Sequence, residues 1–213
     1  MSDVASNVLA YEMPLWGEGK VVAGLDEAGR GAWAGPVVAA SVILPPESER
    51  VLDVLAGVDD SKRLSPAARE GLYDRIREVA ASAVGVIPPD VIDAIGILNA
   101  TYRAMHAALA ALPQPPDALL IDYIPHALGD WPQQRLVRGE RASLSIAAAS
   151  IIAKVHRDRL MVELDARYPG YGFARHKGYG TRAHRRALDA LGPCPIHRHS
   201  WAPIRQLRLP LDG

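Results

Sequence analysis

The sequence has little of several features that would place it in a particular cellular setting. Cys194 is the one cysteine among 213 residues, so no disulfide can form within the chain. No apolar run approaches the roughly 20 residues that a membrane-spanning helix needs. The N-terminus lacks the basic and then apolar segments of a secretory signal. We therefore expect a cytoplasmic protein, and a monomer.

The sequence also has no formal net charge, although its charged residues are unevenly distributed along the chain. Lysine and arginine together number 24, as do aspartate and glutamate. From residue 170 onward eight basic residues stand against two acidic ones, a net charge of +6, which leaves −6 for residues 1–169. An acidic body with a basic C-terminal region is typical of a protein that binds metal ions and, beside them, a polyanion. Charged faces that contact only solvent are the alternative.

The length and the pattern of apolar residues predict one layered domain. At 213 residues with 49% hydrophobic content, the chain can bury a sizeable core. Apolar runs predict strands at 21–26, 37–44, 83–87, 119–122 and 134–137. Apolar periodicity and capping residues predict helices from Ser65 onward and at 98–112, 143–168 and 181–191. This order predicts an α/β domain, with a core at about 20–168 and a basic C-terminal region at 169–213.

Two adjacent carboxylates, Asp26 and Glu27, close the first predicted strand. Because the strand buries its flanks, these charges lie where water is scarce, and such carboxylates usually hold a metal ion. Glycines follow at 29, 31 and 35, so a ligand could approach the main chain closely there. Asp122 repeats the arrangement at the end of the apolar run 119–121.

Asp158 interrupts an otherwise apolar stripe of the predicted long helix. The stripe follows a 3.6-residue period through Leu144, Ala148, Ile151, Val155, Asp158 and Val162. A carboxylate facing the core must be paired or bound to metal, because an isolated buried charge is costly. A salt bridge with Lys154, four residues earlier, is the alternative to metal binding.

Four acids therefore become candidates for one site: Asp26, Glu27, Asp122 and Asp158. Strand ends in an α/β sheet open onto a common crevice, so residues distant in the sequence can converge there. Oxygen donors without cysteine or histidine favour a hard ion, Mg²⁺ or Mn²⁺, over zinc.

A glycine-rich segment at 171–179 interleaves aromatic and basic side chains: Tyr171, Phe173, Arg175, His176, Lys177 and Tyr179. Such a pattern suits a groove for a nucleic-acid backbone, and Lys62 can add a phosphate contact. His197, His199 and Trp201 are interpreted as a tail that packs on the body, with metal ligation by these histidines as the alternative.

Several motifs in order resemble one family, bacterial ribonuclease HII of the type 2 ribonuclease H group. The similarity covers most of the chain from about residue 21 to 204. It rests on these segments: Asp26-Glu27-Ala28-Gly29-Arg30-Gly31, Gly35-Pro36-Val37-Val38, Asp60-Ser61-Lys62, Leu98-Asn99-Ala100-Thr101, 145–155, Arg157-Asp158 and His176-Lys177-Gly178-Tyr179. Two positions depart from the family pattern, since Tyr123 stands where glycine is expected and Glu140 where aspartate is usual.

The resemblance implies a ribonuclease H-like fold, a central mixed sheet flanked by helices with a small C-terminal helical appendage. It implies cleavage of the RNA strand of RNA–DNA hybrids, and nicking 5′ of ribonucleotides embedded in duplex DNA. It assigns the four acids as ligands of two metal ions, with 3′-hydroxyl and 5′-phosphate products. It also assigns Gly29, Arg30 and Gly31, with Tyr179, as the sensor of the junction between RNA and DNA.

Three other functions compete with this one. A junction resolvase of the same fold would not need the Gly29–Gly31 tripeptide with Tyr179. The type HIII ribonuclease carries an extra N-terminal domain and lacks that tripeptide. A hybrid-binding module without activity would not need four acids around one crevice.

Overall fold

The computed structural model describes residues 8–46, 51–52, 55 and 64–206. Within these residues five strands form one sheet: β1 (Val22–Ala28), β2 (Val37–Ile43), β3 (Ala81–Ile87), β4 (Ala118–Asp122) and β5 (Gln133–Leu136). The helices are α1 (Glu12–Gly17), α2 (Pro66–Val79), α3 (Pro89–Ile95), α4 (Ile97–Ala110), α5 (Leu144–Arg167), α6 (Phe173–His176), α7 (Arg182–Leu191) and α8 (Ala202–Arg205). Within the described ranges, every helix is too short or too polar to cross a bilayer.

The sheet is mixed, as the resemblance implied, with strand order β3-β2-β1-β4-β5. β1 pairs antiparallel with β2, and β2 pairs antiparallel with β3. β4 runs parallel to β1, and β5 runs parallel to β4. Because β1 and β4 are neighbouring parallel strands, their C-terminal ends meet at one edge of the sheet. The predicted convergence of Asp26 and Glu27 with Asp122 has this topological cause.

The helices cover both faces of the sheet. On one face α5 and α2 pack over a cluster that includes Val42, Ile76 and Ile151. On the other face α4 and α3 enclose a second cluster around Leu25. The small residues at the start of α5 predict a close approach to the sheet, and the structure confirms it. A Cβ at Gly24 would lie 2.2 Å from the main chain of Ser145, so only glycine fits there.

Hydroxyl caps fix the starts of three helices, at the positions that the sequence predicts. Ser65, Ser143 and Thr181 accept hydrogen bonds from amides three residues later, each at 3.2 Å. Each cap satisfies an otherwise unpaired amide and contributes about 1 kcal/mol. The first residues of α2, α5 and α7 follow from these caps.

The C-terminal residues form the expected small helical appendage of α6, α7 and α8. Its core contains Phe173, Leu188 and Ile204, and packs on Met161 of α5. His197 is fully buried, and its Nε2 lies 3.0 Å from Nε2 of His184. The interpretation of residues 197–201 as a packing tail is therefore confirmed for His197. Burial lowers the pKa of both histidines to about 4.

Candidate active site

Three of the four predicted acids line one cavity at the edge of the sheet. This cavity has a volume of about 500 Å³, and Asp26, Glu27 and Asp122 contribute to its wall. We call it the acid cavity. Residues 29–31, Ser150 and Tyr179 line it as well, so the predicted sensor and three predicted metal ligands share one space.

Asp26 is the most buried of these acids, at 7% exposure. Burial raises the pKa of its carboxyl well above the usual range, and the neighbouring charges of Glu27 and Asp122 raise it further. Its Oδ1 accepts a hydrogen bond from the Glu27 amide at 2.6 Å. A carboxylate in this setting favours a bound proton or a bound cation.

Protein groups hold the other two acids of the acid cavity in place. Glu27 Oε1 lies 3.1 Å from Nη1 of the half-exposed Arg30. Asp122 Oδ1 accepts a hydrogen bond from the Gly139 amide at 2.9 Å, at the start of a short 3-10 helix, Gly139–Arg141. Tyr123 is 52% exposed and lines neither the acid cavity nor the adjacent cavity that contains Asp158. Its bulk therefore does not narrow the site.

Asp158 lies in a neighbouring cavity of about 680 Å³ that Lys177 and Arg175 also line. Lys154 lines both cavities, and its Nζ is 2.6 Å from Asp158 Oδ1. The salt bridge weighed as an alternative is therefore present. The predicted core-facing stripe was wrong at its C-terminal end, because Val162 is 49% exposed while the buried face of that part of α5 runs through Arg157 and Met161.

The acid cavity has the donor atoms that a hard cation prefers, although its carboxylates are not close enough together to form a metal site. Within the residues that the structure describes, no group of three Asp, Glu, His or Cys side chains is gathered into a metal site. The donor chemistry nevertheless fits, since three carboxylates share one cavity and the two others raise the pKa of Asp26. An ion with oxygen preference would relieve that repulsion.

The glycines of the loop after β1 differ in what they face. Gly29 has φ +95°, and a Cβ there would lie 2.0 Å from Nε of Arg157. A Cβ at Gly35, with φ +84°, would lie 2.3 Å from Sδ of Met161. At Gly31 a Cβ would meet nothing within 4 Å. The expectation that all three glycines admit a ligand is therefore corrected, because two of them make room for the protein's own interior.

The remaining predicted substrate residues are spread over the two cavities. Tyr179 lines the acid cavity at 36% exposure, with its ring centroid 5.3 Å from Cζ of Arg157. Lys177 lines the neighbouring cavity, and its Nζ donates to the Ala174 carbonyl. Lys62 falls outside the described residues.

The sequence did not predict the role of two residues that support this site, Arg157 and Arg198. Both are fully buried, although arginine is among the residues least often buried. Arg157 lies on the buried face of α5 with Ala153 and Met161, at a spacing of four residues, which could have indicated its burial. Arg198 follows His197 outside any helix or strand, where no periodic signal exists.

Comparison with known proteins shows the family to which this chain belongs. A family model described as Ribonuclease HII matches residues 23–204. The chain belongs to the ribonuclease HII family. Ribonuclease HII of Chloroflexus aurantiacus is 56% identical over 192 residues, covering 90% of this chain and 91% of the relative. Ribonuclease HII of Thermus thermophilus is 52% identical over 202 residues, covering 93% and 96%.

Solved structures show the same architecture. The crystal structure of ribonuclease H2 from Pyrococcus horikoshii superposes with a TM-score of 0.74 at 27% identity, covering 87% of this chain and 96% of that one. RNase HII of Archaeoglobus fulgidus, solved in a complex with PCNA, gives a TM-score of 0.72 at 27% identity, covering 88% and 97%. The ribonuclease H-like fold is therefore confirmed. As a ribonuclease HII, the chain is a metal-dependent hydrolase with ribonuclease H activity on RNA–DNA hybrids.

Proposed function

We propose that this chain cuts the RNA strand of RNA–DNA hybrids and nicks duplex DNA on the 5′ side of an embedded ribonucleotide. The observation that carries the proposal is the acid cavity, in which Asp26, Glu27 and Asp122 share one space with residues 29–31 and Tyr179. A phosphodiester bond next to a recognised ribose would then lie beside the acids. The products are a 3′-hydroxyl and a 5′-phosphate, and the role is the removal of ribonucleotides from DNA by a cytoplasmic monomer.

Asp26, Glu27, Asp122 and Asp158 would hold two ions of Mg²⁺ or Mn²⁺ in the catalytic state. Ions bound there would acidify the attacking water and stabilise the leaving 3′-oxygen. Asp158 would exchange its present cationic partner for the metal ion when the ion binds. That partner is Lys154, whose Nζ lies 2.6 Å from Asp158 Oδ1. For Glu27 the partner given up is Arg30. In each pair the cation is the more exposed partner, at 42% for Arg30 and 29% for Lys154, so it can return to water when an ion binds.

Recognition of the ribose depends on Gly29, Arg30, Gly31 and Tyr179. The 2′-hydroxyl is the group that distinguishes RNA from DNA at one position. Open space at Gly31 lets a sugar approach the main chain, while the Tyr179 ring can stack on the deoxyribose that follows. A second 2′-hydroxyl would not fit under that ring, so the pair reads a junction.

Basic side chains extend from the acid cavity into the neighbouring one and suit the phosphate backbone. Lys154 lines both cavities, and Arg175 and Lys177 line the second. Lys62 would add a further phosphate contact. Such contacts position the duplex without reading its sequence, and they weaken as salt is raised.

The test is cleavage, with Mg²⁺, of a labelled DNA duplex that carries one ribonucleotide. We expect one nick on the 5′ side of that residue, and no nick in the all-DNA duplex. Tyr179→Ala should lose more than about tenfold in single-turnover rate, which is about 1.4 kcal/mol of transition-state stabilisation. Lys177→Ala should instead weaken binding of RNA-containing and all-DNA duplexes alike. A nick on the 3′ side, or an unchanged rate for Tyr179→Ala, would refute the proposal.

A further inference from the structure

Arg157 and Arg198 bring two positive charges into the interior without an acidic partner. Both side chains have 0% exposure, and neither forms an ion pair with a carboxylate of the described residues. Burial lowers the pKa of both, and the charge of Arg157 lowers that of Arg198 further, to about 9. Two like charges buried together are costly unless their hydrogen bonds are satisfied in full.

Main-chain carbonyls satisfy both guanidinium groups, and they come from the site. Arg157 donates to Pro36 at 2.9 Å, Lys177 at 3.0 Å and Ala34 at 3.2 Å. Arg198 donates to Gly29 at 2.7 Å, Arg30 at 2.8 Å and Gly35 at 3.1 Å. Five of these six carbonyls belong to residues 29–36, and the sixth belongs to the turn before Tyr179.

The bonds from Arg198 determine which groups the loop presents to the acid cavity. In a trans peptide the carbonyl and the following amide point in opposite directions. Because the carbonyls of Gly29 and Arg30 point inward to Arg198, the amides of Arg30 and Gly31 point outward. Neither amide has an acceptor among the described residues. The loop therefore offers the cavity two donors, which suit an acceptor oxygen.

Arg157 joins this loop to the segment that carries Tyr179. It bonds to Ala34 and Pro36 on one side and to Lys177 on the other, and its Cζ lies 5.3 Å from the Tyr179 ring centroid. Lys177 has φ 53°, a conformation that non-glycine residues rarely adopt. The bond to its carbonyl helps to hold that conformation. Arg157 thus reinforces the main-chain hydrogen bonds that Trp33 and Ala34 donate to the Gly178 carbonyl, at 2.8 and 3.3 Å, in holding the ring at a fixed distance from the loop.

We propose that Arg157 and Arg198 are positioning residues of the ribonucleotide sensor. Arg198 orients the Arg30 and Gly31 amides toward an acceptor oxygen of the substrate, the ribose 2′-hydroxyl or the adjacent phosphate. Arg157 helps to fix the distance from these amides to Tyr179. This inference rests on the proposed function, because the sensor is defined by it.

The first test compares Arg198→Lys and Arg157→Lys with two controls. Lysine keeps the charge but cannot form the planar fork, so it cannot hold three carbonyls in one geometry. Each variant should lose more than about tenfold in single-turnover cleavage of the single-ribonucleotide duplex, with affinity for the duplex unchanged. Arg186→Lys, an exposed change in α7, should match wild type. Leu188→Ala, buried in the appendage, controls for lost stability. Equal losses in Leu188→Ala at matched stability, or wild-type rates in both lysine variants, would overturn the proposal.

The second test needs no variant and holds even if the lysine variants do not fold. In the wild-type chain without divalent ions, the Arg30 and Gly31 amides should exchange rapidly with solvent. Their NMR signals should shift on adding the single-ribonucleotide duplex. The absence of a shift with the all-DNA duplex would identify the 2′-hydroxyl as the acceptor, a shift with both duplexes would identify the phosphate, and a shift with neither would overturn the proposal. Protection of these amides in the free protein would overturn the arrangement. If wild type cuts no RNA-containing duplex while the amides are free, the proposed function fails and the arginine geometry stands.

Discussion

Gly29 and Gly31 lie two residues apart in one loop, yet replacing each by alanine should have opposite effects on stability. At Gly29 a side chain would adopt φ +95° and place its Cβ 2.0 Å from Nε of the buried Arg157. At Gly31 the Cβ would meet nothing within 4 Å, and the backbone is not left-handed. The two variants therefore separate what the fold requires of this loop from what the substrate requires.

The cost at Gly29 can be worked out from its contacts. The left-handed conformation costs about 1–2 kcal/mol for alanine. Displacing Arg157 breaks at least one charged hydrogen bond worth about 1.5–3 kcal/mol, which gives about 2.5–5 kcal/mol in total. Gly31→Ala should leave stability unchanged or raise it by about 0.4–1 kcal/mol, because it restricts the unfolded chain. For a chain of this size, 1 kcal/mol shifts Tm by about 2–4 °C.

The assay is urea denaturation followed by circular dichroism, together with single-turnover cleavage of the single-ribonucleotide duplex. Gly29→Ala should lower the urea midpoint strongly. Gly31→Ala should keep the wild-type midpoint and yet lose more than about tenfold in cleavage, since its methyl group occupies the space that the sugar needs. Gly71→Ala is the matched control, as this glycine of α2 also faces open space and lines neither cavity. The reasoning fails if Gly31→Ala cuts at the wild-type rate, or if both loop variants lose the same stability.

Three further predictions concern titratable groups. Asp26→Asn should abolish cleavage and raise the urea midpoint of the metal-free protein at pH 7. Because the folded pKa of Asp26 lies above its ordinary 3.8, the ionised form opposes folding, and the gain should shrink as pH falls toward 4. Asp158→Asn should reduce cleavage severely. It should lower the free energy of unfolding by only about 1 kcal/mol or less, since the pair with Lys154 is partly exposed. A large loss of stability with full activity per folded molecule would instead identify that pair as structural. His184 and His197 have folded pKa values of about 4, below the ordinary 6.5. Their stabilising contribution is therefore complete above pH 6.5 and should be lost as pH falls toward 4, which urea midpoints measured across this range will show.

Much of the fold could be predicted because local chemistry and tertiary structure agree. Ser65, Ser143 and Thr181 have the hydroxyls that helix starts favour, and each forms the expected cap. The apolar run before Asp122 becomes a strand parallel to β1, which brings that acid to the same edge as Asp26. Here periodicity and strand length suffice.

The misses have tertiary causes that no short window contains. The stripe through Asp158 predicted a buried position, but in this part of α5 the buried face runs through Arg157 and Met161, because the helix here packs on the appendage. Arg198 bonds to a carbonyl 169 positions earlier, a contact that depends on the completed fold. Gly29, Gly31 and Gly35 look alike in sequence, and only the placement of Arg157 and Met161 distinguishes the two inner positions from the open one.

The path of α5 bears on how this enzyme could be shortened. Its first turn is held by the buried Glu12, whose Oε1 accepts hydrogen bonds from Ser143 and Ser145. Its later turns carry Lys154 to the acid cavity, Arg157 to the loop after β1 and Met161 to the appendage. A nuclease cut back to residues 20–168 would lack Glu12 at one end and Arg198 at the other. We expect such a fragment to keep the four candidate metal-binding carboxylates and lose the shape of the loop beside them, so the minimal unit for engineering includes residues from both ends of the described chain.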